Sequence, residues 1–176
     1  MELSAAQRER YERNLLVEGF TDRMQQALIA ARVAVVGAGG LGSAALNYLV
    51  AAGVGHLTLI ENDTVSLSNL QRQVLYTTAD MGRPKAEVAA MRLSRLNPGC
   101  DIRVVTDRLT AANAAGLLGG HDAVVDCTDN YDARYVIDDF CREAEVPMIY
   151  GTAEAVGGQV AVFHAGGAGG YRDLYP

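Results

Sequence analysis

The stretch from Arg32 to Leu46 reads R-V-A-V-V-G-A-G-G-L-G-S-A-A-L. Its first part, Val33–Val36, is a short apolar and mostly β-branched run, which predicts a strand buried on both faces. The residues from Ser43 to Ala52 are rich in Ala and Leu and favour a helix. A glycine turn between strand and helix lets the backbone approach a phosphate, and the helix start offers it free N–H groups. This order therefore predicts a nucleotide site at Gly37, Gly39, Gly40 and Gly42.

The composition of the 176-residue chain predicts one globular domain spanning residues 1–176, because 49% of the residues are hydrophobic and 20% are charged. A net charge of −6 argues against a nucleic-acid partner, since no basic stripe is present to meet phosphates. No apolar run approaches the roughly 20 residues of a membrane helix, and the N-terminus is polar. We therefore expect a cytoplasmic protein that does not contact a membrane.

The three cysteines, Cys100, Cys127 and Cys141, lie far apart and form no C-x-x-C motif. They are typical of small buried residues in a reduced protein, which agrees with a cytoplasmic location.

The rest of the chain alternates predicted strands and helices after an N-terminal helical segment, Ser4–Ala30, with Ser4 as a helix cap. This alternation predicts a Rossmann-like, doubly wound α/β fold, with a mainly parallel sheet and helices on both faces. The further predicted strands are His56–Ile60, Ile102–Val105, Ala123–Asp126, Pro147–Tyr150 and Gln159–Phe163; the further helices are Pro84–Leu96, Thr110–Leu118 (capped by Thr110) and Asp132–Glu145.

Ligands in such sheets bind beyond the carboxyl ends of the strands. The first predicted strand ends in Gly37, the second in Glu61 and the fourth at Asp126–Asn130, so these three loops should meet at one crevice. An acidic residue in the position of Glu61 holds a ribose hydroxyl in many such units. The long polar connection after it carries Arg72, and the next helix starts near Lys85.

Two nucleotides fit this crevice in different ways. NAD would use the glycines and Glu61 but would leave Arg72, Lys85 and Asp129 without a role. ATP with Mg²⁺ would use all of them, because the two cations balance phosphate charge and the carboxylate holds the metal. The residues therefore favour ATP with magnesium.

Several short runs carry a family resemblance that covers nearly the whole chain. The chain resembles the ThiF/HesA/MoeB group of ubiquitin-activating-type adenylyltransferases. The matching runs include R-Y-E-R-N (Arg10–Asn14), V-V-G-A-G-G-L-G-S (Val35–Ser43), S-N-L-Q-R-Q (Ser68–Gln73), G-R-P-K (Gly82–Lys85), D-C-T-D-N (Asp126–Asn130) and G-Q-V-A-V-F (Gly158–Phe163).

The resemblance implies ATP-dependent adenylation of the C-terminal glycine carboxylate of a small ubiquitin-like sulfur-carrier protein, as in thiamine or molybdopterin synthesis. It implies that Gly40 lies against the nucleotide and that Glu61 binds the ribose. It also implies that the subunits form a homodimer. Its implied phosphate and metal residues are Asn69, Arg72 and Lys85 at the phosphates, Asp129 at Mg²⁺ with Asn130 beside it, and Arg13 reaching into the partner's site.

The chain departs from the family pattern in three places. Gly170 and Asp173 stand where a zinc-binding C-x-x-C is common, so no zinc is expected. Glu61 replaces the usual aspartate. The family's later segment does not follow Pro176, so we expect a C-terminally truncated member whose last strand exposes an edge and favours oligomers.

Two further functions stay open beside adenylation. Without the later segment, the chain could act as a nucleotide-binding or dimerisation module that does not turn over. A weaker alternative is an NAD-dependent oxidoreductase. Neither the carrier protein nor the pathway follows from the sequence.

Overall fold

The computed structural model describes residues 2–176, and its centre is a six-stranded sheet. The spatial order is β3-β2-β1-β4-β5-β6. The first five strands are parallel, and the sixth runs antiparallel to the fifth. The strand order reverses between β1 and β4, which is where such sheets bind ligands. The strands are β1 (Arg32–Val36), β2 (His56–Ile60), β3 (Asp101–Val105), β4 (Ala123–Asp126), β5 (Met148–Glu154) and β6 (Gly157–Phe163).

Helices cover both faces of this sheet. Along β1, Val33 and Val35 belong to a core that includes the helices α4 and α5, whereas Ala34 and Val36 face a second core that includes α6 and α7. This alternation confirms the predicted doubly wound α/β fold. The helices are α1 (Ala5–Arg10), α2 (Glu12–Leu15), α3 (Asp22–Ala30), α4 (Gly40–Ala52), α5 (Lys85–Leu96), α6 (Ala114–Leu118), α7 (Tyr131–Ala144) and α8 (Tyr171–Leu174). Within residues 2–176, none of them combines the length and apolar character that a bilayer crossing needs.

The N-terminal helical segment is present as predicted and is fixed by polar contacts. Ser4 and Gln7 form a capping box at the start of α1, and Thr21 caps α3. The buried Asn97 amide nitrogen donates to the Tyr11 hydroxyl at 3.0 Å and to the Val50 carbonyl at 2.9 Å. These contacts attach the segment to the ends of α4 and α5.

Three predicted boundaries are wrong by three residues or more. The helix predicted from Thr110 begins at Ala114, because the side chain of Asn113 accepts from the Thr110 N–H and holds residues 110–113 in a turn. The helix after the glycine turn begins earlier than predicted, at Gly40. The strand predicted to end at Tyr150 runs on to Glu154 and forms a hairpin with β6.

The strand β6 lies at the edge of the sheet and has one neighbour, β5, within the described residues. Its residues Val160 and Val162 are 83% and 51% exposed, whereas Phe163 is buried. The expected exposed edge is therefore present in residues 2–176.

Asp80 anchors the long connection between β2 and α5. Its buried carboxylate accepts from the Thr77 N–H and hydroxyl, each at 2.8 Å, and from Arg92 at 2.5 Å, with Arg83 nearby. Burial raises the pKa of Asp80, but the Thr77 hydrogen bonds and the two guanidinium charges outweigh it, so the pKa lies below its ordinary value. The anchor fixes the loop that carries Arg72.

We expect Asp80→Asn to lower the free energy of unfolding by about 1–3 kcal/mol at neutral pH, since the amide loses the charge that faces these donors. A native pKa below the unfolded one gives stability that is present above the unfolded pKa and lost as pH falls through the native pKa. The difference between wild type and variant should therefore shrink below about pH 4. Urea unfolding at several pH values measures it.

The matched control is Asp101→Asn, because the Asp101 side chain is 85% exposed. It should change the free energy of unfolding by less than about 0.5 kcal/mol. An Asp80→Asn penalty that stays constant with pH would contradict this account of the anchor.

Candidate functional site

A cavity of about 470 Å³ opens at the carboxyl ends of β1, β2 and β4, beside the point where the strand order reverses. The sequence prediction that three loops meet at one crevice is therefore correct in its geometry. The predicted site residues that line the cavity are Gly37, Gly39, Gly40, Glu61, Arg72, Lys85, Asp129 and Asn130.

Three predicted site residues do not line this cavity. Gly42 lies behind the glycine turn, against Gly37. Asn69 lies in a 3₁₀ turn, where its carbonyl accepts from the Arg72 N–H at 3.1 Å, so it shapes the loop instead. Arg13 is exposed on α2 and lines no described cavity of its own chain. Its proposed role in a partner subunit stays a prediction.

The glycine turn has no room for side chains at two positions. Gly37 has a φ of +94°, and a Cβ there would lie 2.7 Å from the Cys127 carbonyl oxygen. A Cβ on Gly42 would lie 2.1 Å from the Gly37 carbonyl oxygen. At Gly40 a Cβ would meet the Arg72 side chain at an ordinary 3.5 Å. The turn thus packs tightly on the sheet side and is open toward the cavity.

Glu61 connects the glycine turn to the long loop. One carboxylate oxygen, Oε2, accepts from the Ala38 N–H, and the other, Oε1, accepts from the Asp63 N–H, both at 2.8 Å. The residue at the end of β2 therefore fixes the backbone on both sides of the cavity mouth. Each oxygen retains a lone pair that can accept from a ligand hydroxyl.

Two cations flank the turn. Lys85, the only lysine in the chain, is 3% exposed, and its Nζ lies 3.1 Å from Asp63 Oδ2. Arg72 is exposed, and its side chain lies over Gly40. Sequence reasoning missed Asp63, although it follows Glu61 by two positions. Lys85 is buried and Asp63 is largely exposed, and both line the cavity, so in this structure the neighbouring carboxylate balances the charge of the lysine.

The loop after β4 carries two predicted site residues, Asn130 and Asp129, whose surroundings differ from each other. Asn130 caps α7, since its Oδ1 accepts from the Ala133 N–H at 3.0 Å. Asp129 is exposed at the cavity and its side chain makes no hydrogen bond or ion pair within residues 2–176, which leaves both of its oxygens available. Asp126 is buried and accepts from Thr128. Burial raises the pKa of Asp126, against the lowering effects of Thr128 and Arg134.

Sequence reasoning missed two other parts of the cavity wall. Residues 107–111, which follow β3, also line the cavity, with Leu109 buried. The sequence feature that could have predicted this wall is its position directly after a parallel strand. Gln73 is also buried, and its Oε1 lacks a hydrogen-bond partner among the described residues. The sequence feature that could have predicted Gln73 is its position in the S-N-L-Q-R-Q run.

A second cavity of about 380 Å³ adjoins the first. The two share Gly40, Arg72 and Thr128 in their walls, so they meet at the glycine turn. Arg134 from α7 and Thr152 from β5 complete the second cavity. No acidic side chain is among the described residues that line it.

No group of three or more His, Cys, Asp or Glu residues within residues 2–176 is placed to hold a metal ion. Asp173, which stands where the family commonly has a cysteine, accepts from the Gly170 N–H at 2.7 Å. A divalent cation at Asp129 would therefore take its other ligands from a bound nucleotide and water, as Mg²⁺ commonly does.

A glycine turn, two cations and an available carboxylate at the switch point of a doubly wound sheet are typical of a nucleotide-binding protein. A family model described as "ThiF family" matches residues 11–176, and the chain belongs to this family.

Similar proteins share most of this chain. It is 49% identical over 162 residues to the molybdopterin-synthase adenylyltransferase of Salmonella typhimurium, covering 92% of this chain and 65% of that protein. It is 45% identical over 173 residues to the sulfur carrier protein adenylyltransferase of Thermus thermophilus, covering 96% and 64%.

Among solved structures, the E. coli tRNA N6-threonylcarbamoyladenosine dehydratase TcdA in complex with ATP matches with a TM-score of 0.80. The identity is 32%, and the match covers 85% of this chain and 61% of that one. The chain thus spans about 65% of the length of the curated relatives above.

We expect Gly42→Ala to lower the free energy of unfolding by at least ~2 kcal/mol, because the new Cβ overlaps the Gly37 carbonyl oxygen. Thermal or urea unfolding measures this loss. The paired variant Gly40→Ala should fold with nearly unchanged stability, since its Cβ finds only ordinary contacts. It should instead weaken nucleotide binding, measured by calorimetry, because the methyl group projects toward the cavity. Equal stability of the two variants would contradict this description of the turn.

Proposed function

We propose that this chain activates the C-terminal carboxylate of a small ubiquitin-like sulfur-carrier protein by adenylation with ATP. The observation that carries the proposal is the convergence of the glycine turn, Arg72, Lys85 and Asp129 on one cavity in a member of the ThiF family. Relatives at 49% and 45% identity are named adenylyltransferases that act in this kind of chemistry.

The proposed reaction requires no covalent intermediate on the protein. A carboxylate oxygen of the carrier attacks the α-phosphorus of ATP, and the bond between that phosphorus and the bridging oxygen to the β-phosphate breaks. Pyrophosphate leaves with the electron pair, and AMP stays joined to the carrier as an acyl-adenylate. Negative charge grows on the leaving pyrophosphate, so fixed cations beside it lower the barrier.

Arg72 and Lys85 are the proposed cations. Lys85 is buried, and a charge in a less polar environment interacts more strongly with phosphate than an exposed one does. In this structure its partner is Asp63 at 3.1 Å. We infer that nucleotide phosphate replaces Asp63 as the partner of Lys85 on binding, while the exposed Asp63 turns to solvent.

We propose Asp129 as the protein ligand of Mg²⁺, supported by its position at the cavity and by its available oxygens. When bound, Mg²⁺ supplies positive charge to the phosphates.

Glu61 is the proposed ribose contact. The loop 107–111, with Leu109, supplies an apolar wall suited to the flat face of a base. Asn69 and Asn130 act through the loops that they shape.

A protein carrier fits better than a nucleic acid, because the chain carries a net charge of −6. The experiment described next decides whether the carrier belongs to thiamine or to molybdopterin synthesis. The two other functions that the sequence leaves open, a nucleotide-binding module without turnover and an NAD-dependent oxidoreductase, give different results in the same experiment.

We expect carrier-dependent exchange of labelled pyrophosphate into ATP when the chain is mixed with sulfur carriers that end in Gly-Gly. Lys85→Ala should lower kcat/KM for this exchange by roughly a hundredfold, the usual effect of losing a charge-stabilising donor. The protein labelled with ¹⁵N-lysine has a single lysine amide signal, because Lys85 is the only lysine. ATP should shift this signal, and NAD at equal concentration should not.

The control is Arg95→Ala, an exposed cation at the other end of α5, which should retain wild-type exchange. ATP binding without exchange for any carrier would favour the module without turnover. A signal shifted by NAD more strongly than by ATP would favour the oxidoreductase.

The second part of the proposal is a homodimer in which Arg13 reaches the site of the partner subunit. Arg13 is exposed and lines neither cavity of its own chain. Exposed apolar side chains lie near it in sequence, with Leu16 and Val17 at 66% and 59% exposure. Large apolar side chains left exposed beside Arg13 suit a contact between subunits.

We expect Arg13→Ala and Lys85→Ala proteins to be nearly inactive alone and to regain up to about a quarter of wild-type exchange when mixed, because half of the dimers are mixed and each then has one intact site. Exchange of pyrophosphate after subunit mixing measures this recovery. Arg23→Ala, a change of an exposed arginine on α3, is the control and should be active alone. No recovery after demonstrated subunit exchange would contradict a role in the partner's site.

A further inference from the structure

The second cavity, of about 380 Å³, has a buried arginine in its wall. Arg134 in α7 is 6% exposed, and it lines the cavity together with Thr128 and Thr152. The cavity also shares Gly40 and Arg72 with the nucleotide cavity, so a group bound in it lies beside the glycine turn. Two cations and no described acidic side chain line it, which suits an anionic ligand.

The Arg134 guanidinium is held in place by polar contacts and by two aromatic rings. Its Nη2 donates to the Thr128 carbonyl at 2.9 Å and to the Thr152 hydroxyl at 3.3 Å. Its Cζ lies 5.2 Å from the ring centroid of Tyr150 and 5.7 Å from that of Tyr131. At such distances a cation is attracted to the face of a ring. Residues of β5, of α7 and of the loop after β4 therefore fix the guanidinium together.

These contacts use only part of the donor capacity of Arg134. Both hydrogen bonds leave from Nη2, and the buried Nε has no hydrogen-bond partner among residues 2–176. The carboxylate paired with Arg134 is Asp126, whose Oδ2 lies 3.7 Å from Nε, beyond the distance of a hydrogen bond. The other Asp126 oxygen, Oδ1, accepts from the Thr128 N–H and hydroxyl. Asp126 thus balances the charge of the arginine but leaves N–H donors of the guanidinium for a ligand.

We propose that the second cavity binds the C-terminal carboxylate of the carrier and that Arg134 is the residue that holds it. This inference rests on the proposed function. Buried polar groups are nearly always hydrogen-bonded, and an ion pair that served only the fold would close the 3.7 Å gap. A guanidinium presents parallel N–H groups that match the two oxygens of a carboxylate. A bound carboxylate therefore completes the hydrogen bonding of Arg134.

The position of Arg72 explains how the carboxylate and ATP can approach each other. Adenylation brings the carboxylate against the α-phosphate, and two anions at that distance repel each other. Arg72 lines both cavities, so its charge lies where the two reactants meet. Arg134 adds a second positive charge on the side of the carboxylate. The two arginines together offset the repulsion between the reactants.

The walls of the second cavity also leave a path for an extended tail. Gly40 and Ala153 are small residues in this wall, and Ala153 is exposed. Ala153 lies in the β5–β6 hairpin, where it pairs with Gly158. The cavity therefore reaches the protein surface at this hairpin. Two terminal glycines carry no side chains, so the end of the carrier needs only a narrow path.

The first test uses N-acetylglycylglycine, which has the same end as the carrier, and the same dipeptide with a C-terminal amide. In protein labelled with ¹⁵N-arginine, the Nε–H signal of Arg134 is the one that Arg134→Lys removes. We expect the acid to shift this signal and the amide at equal concentration to shift it at least about fivefold less, because the amide lacks the charge.

The control in this test is the signal of Arg142, assigned through Arg142→Lys, since this exposed residue on α7 lines neither cavity. It should not move with either dipeptide. An unmoved Arg134 signal, or equal shifts with the acid and the amide, would overturn the proposal.

The second test is kinetic. Arg134→Lys keeps a positive charge beside Asp126 but loses the planar fork, so we expect KM for the carrier in the pyrophosphate exchange to rise about tenfold or more. The dissociation constant of ATP should change less than about twofold, because Arg134 lines only the second cavity. Arg142→Lys should leave both values unchanged. Parallel losses of ATP affinity and carrier affinity indicate a structural role and refute the proposal.

The two tests separate the role of Arg134 from the proposed function. An acid-specific shift of the Arg134 signal in a protein that shows no exchange with any carrier refutes the proposed function alone. Exchange with a carrier KM that Arg134→Lys leaves unchanged refutes the role of Arg134 alone.

Discussion

The close approach of two backbone segments, the glycine turn after β1 and the loop after β4, is the constraint on which the rest of the structure depends. The space between Gly37 and the Cys127 carbonyl admits no side chain, and the Gly42 position is equally closed by the turn itself. Because the turn is held against the sheet, α4 begins at Gly40 and its first N–H groups face the cavity. The Glu61 carboxylate then fixes the turn from the other side through the Ala38 N–H.

Buried charges place the loops around this turn, and each has a partner that sets its position. Asp80 holds the connection that carries Arg72, through Thr77 and Arg92. Lys85 is held toward the cavity by Asp63. Breaking such pairs costs stability because the remaining charge is left in a poorly solvated place. The fold thus holds the side chains of Arg72 and Lys85 at the wall of the cavity, and this arrangement suits an anionic ligand.

The Asp126 and Arg134 pair differs from the others, since its nearest atoms are 3.7 Å apart and both lack hydrogen-bond partners among the described residues. A buried pair left incomplete in this way is costly and is commonly associated with function. Here the guanidinium donates instead to the Thr128 carbonyl and the Thr152 hydroxyl. The C-terminal turn α8 is anchored on Asp138 and packs Tyr171 against Tyr150, whose ring centroid lies 5.2 Å from the Arg134 guanidinium.

The sequence by itself determined the elements whose signal is local. β-branched runs predicted β1, β2 and β4, and the glycines between β1 and α4 predicted the turn. Since parallel strands end at the same edge, the order of the elements also placed Glu61, Lys85 and Asp129 at one cavity, although their roles remain proposals. Only the tertiary structure decided which contacts the side chains make. Burial of Tyr171 depends on rings from α7, β5 and β6, far away in the chain. Two ion pairs likewise depend on how the elements pack: Lys85 with Asp63, and Arg134 with Asp126 across a gap of 3.7 Å. No local pattern of residues predicts these distances.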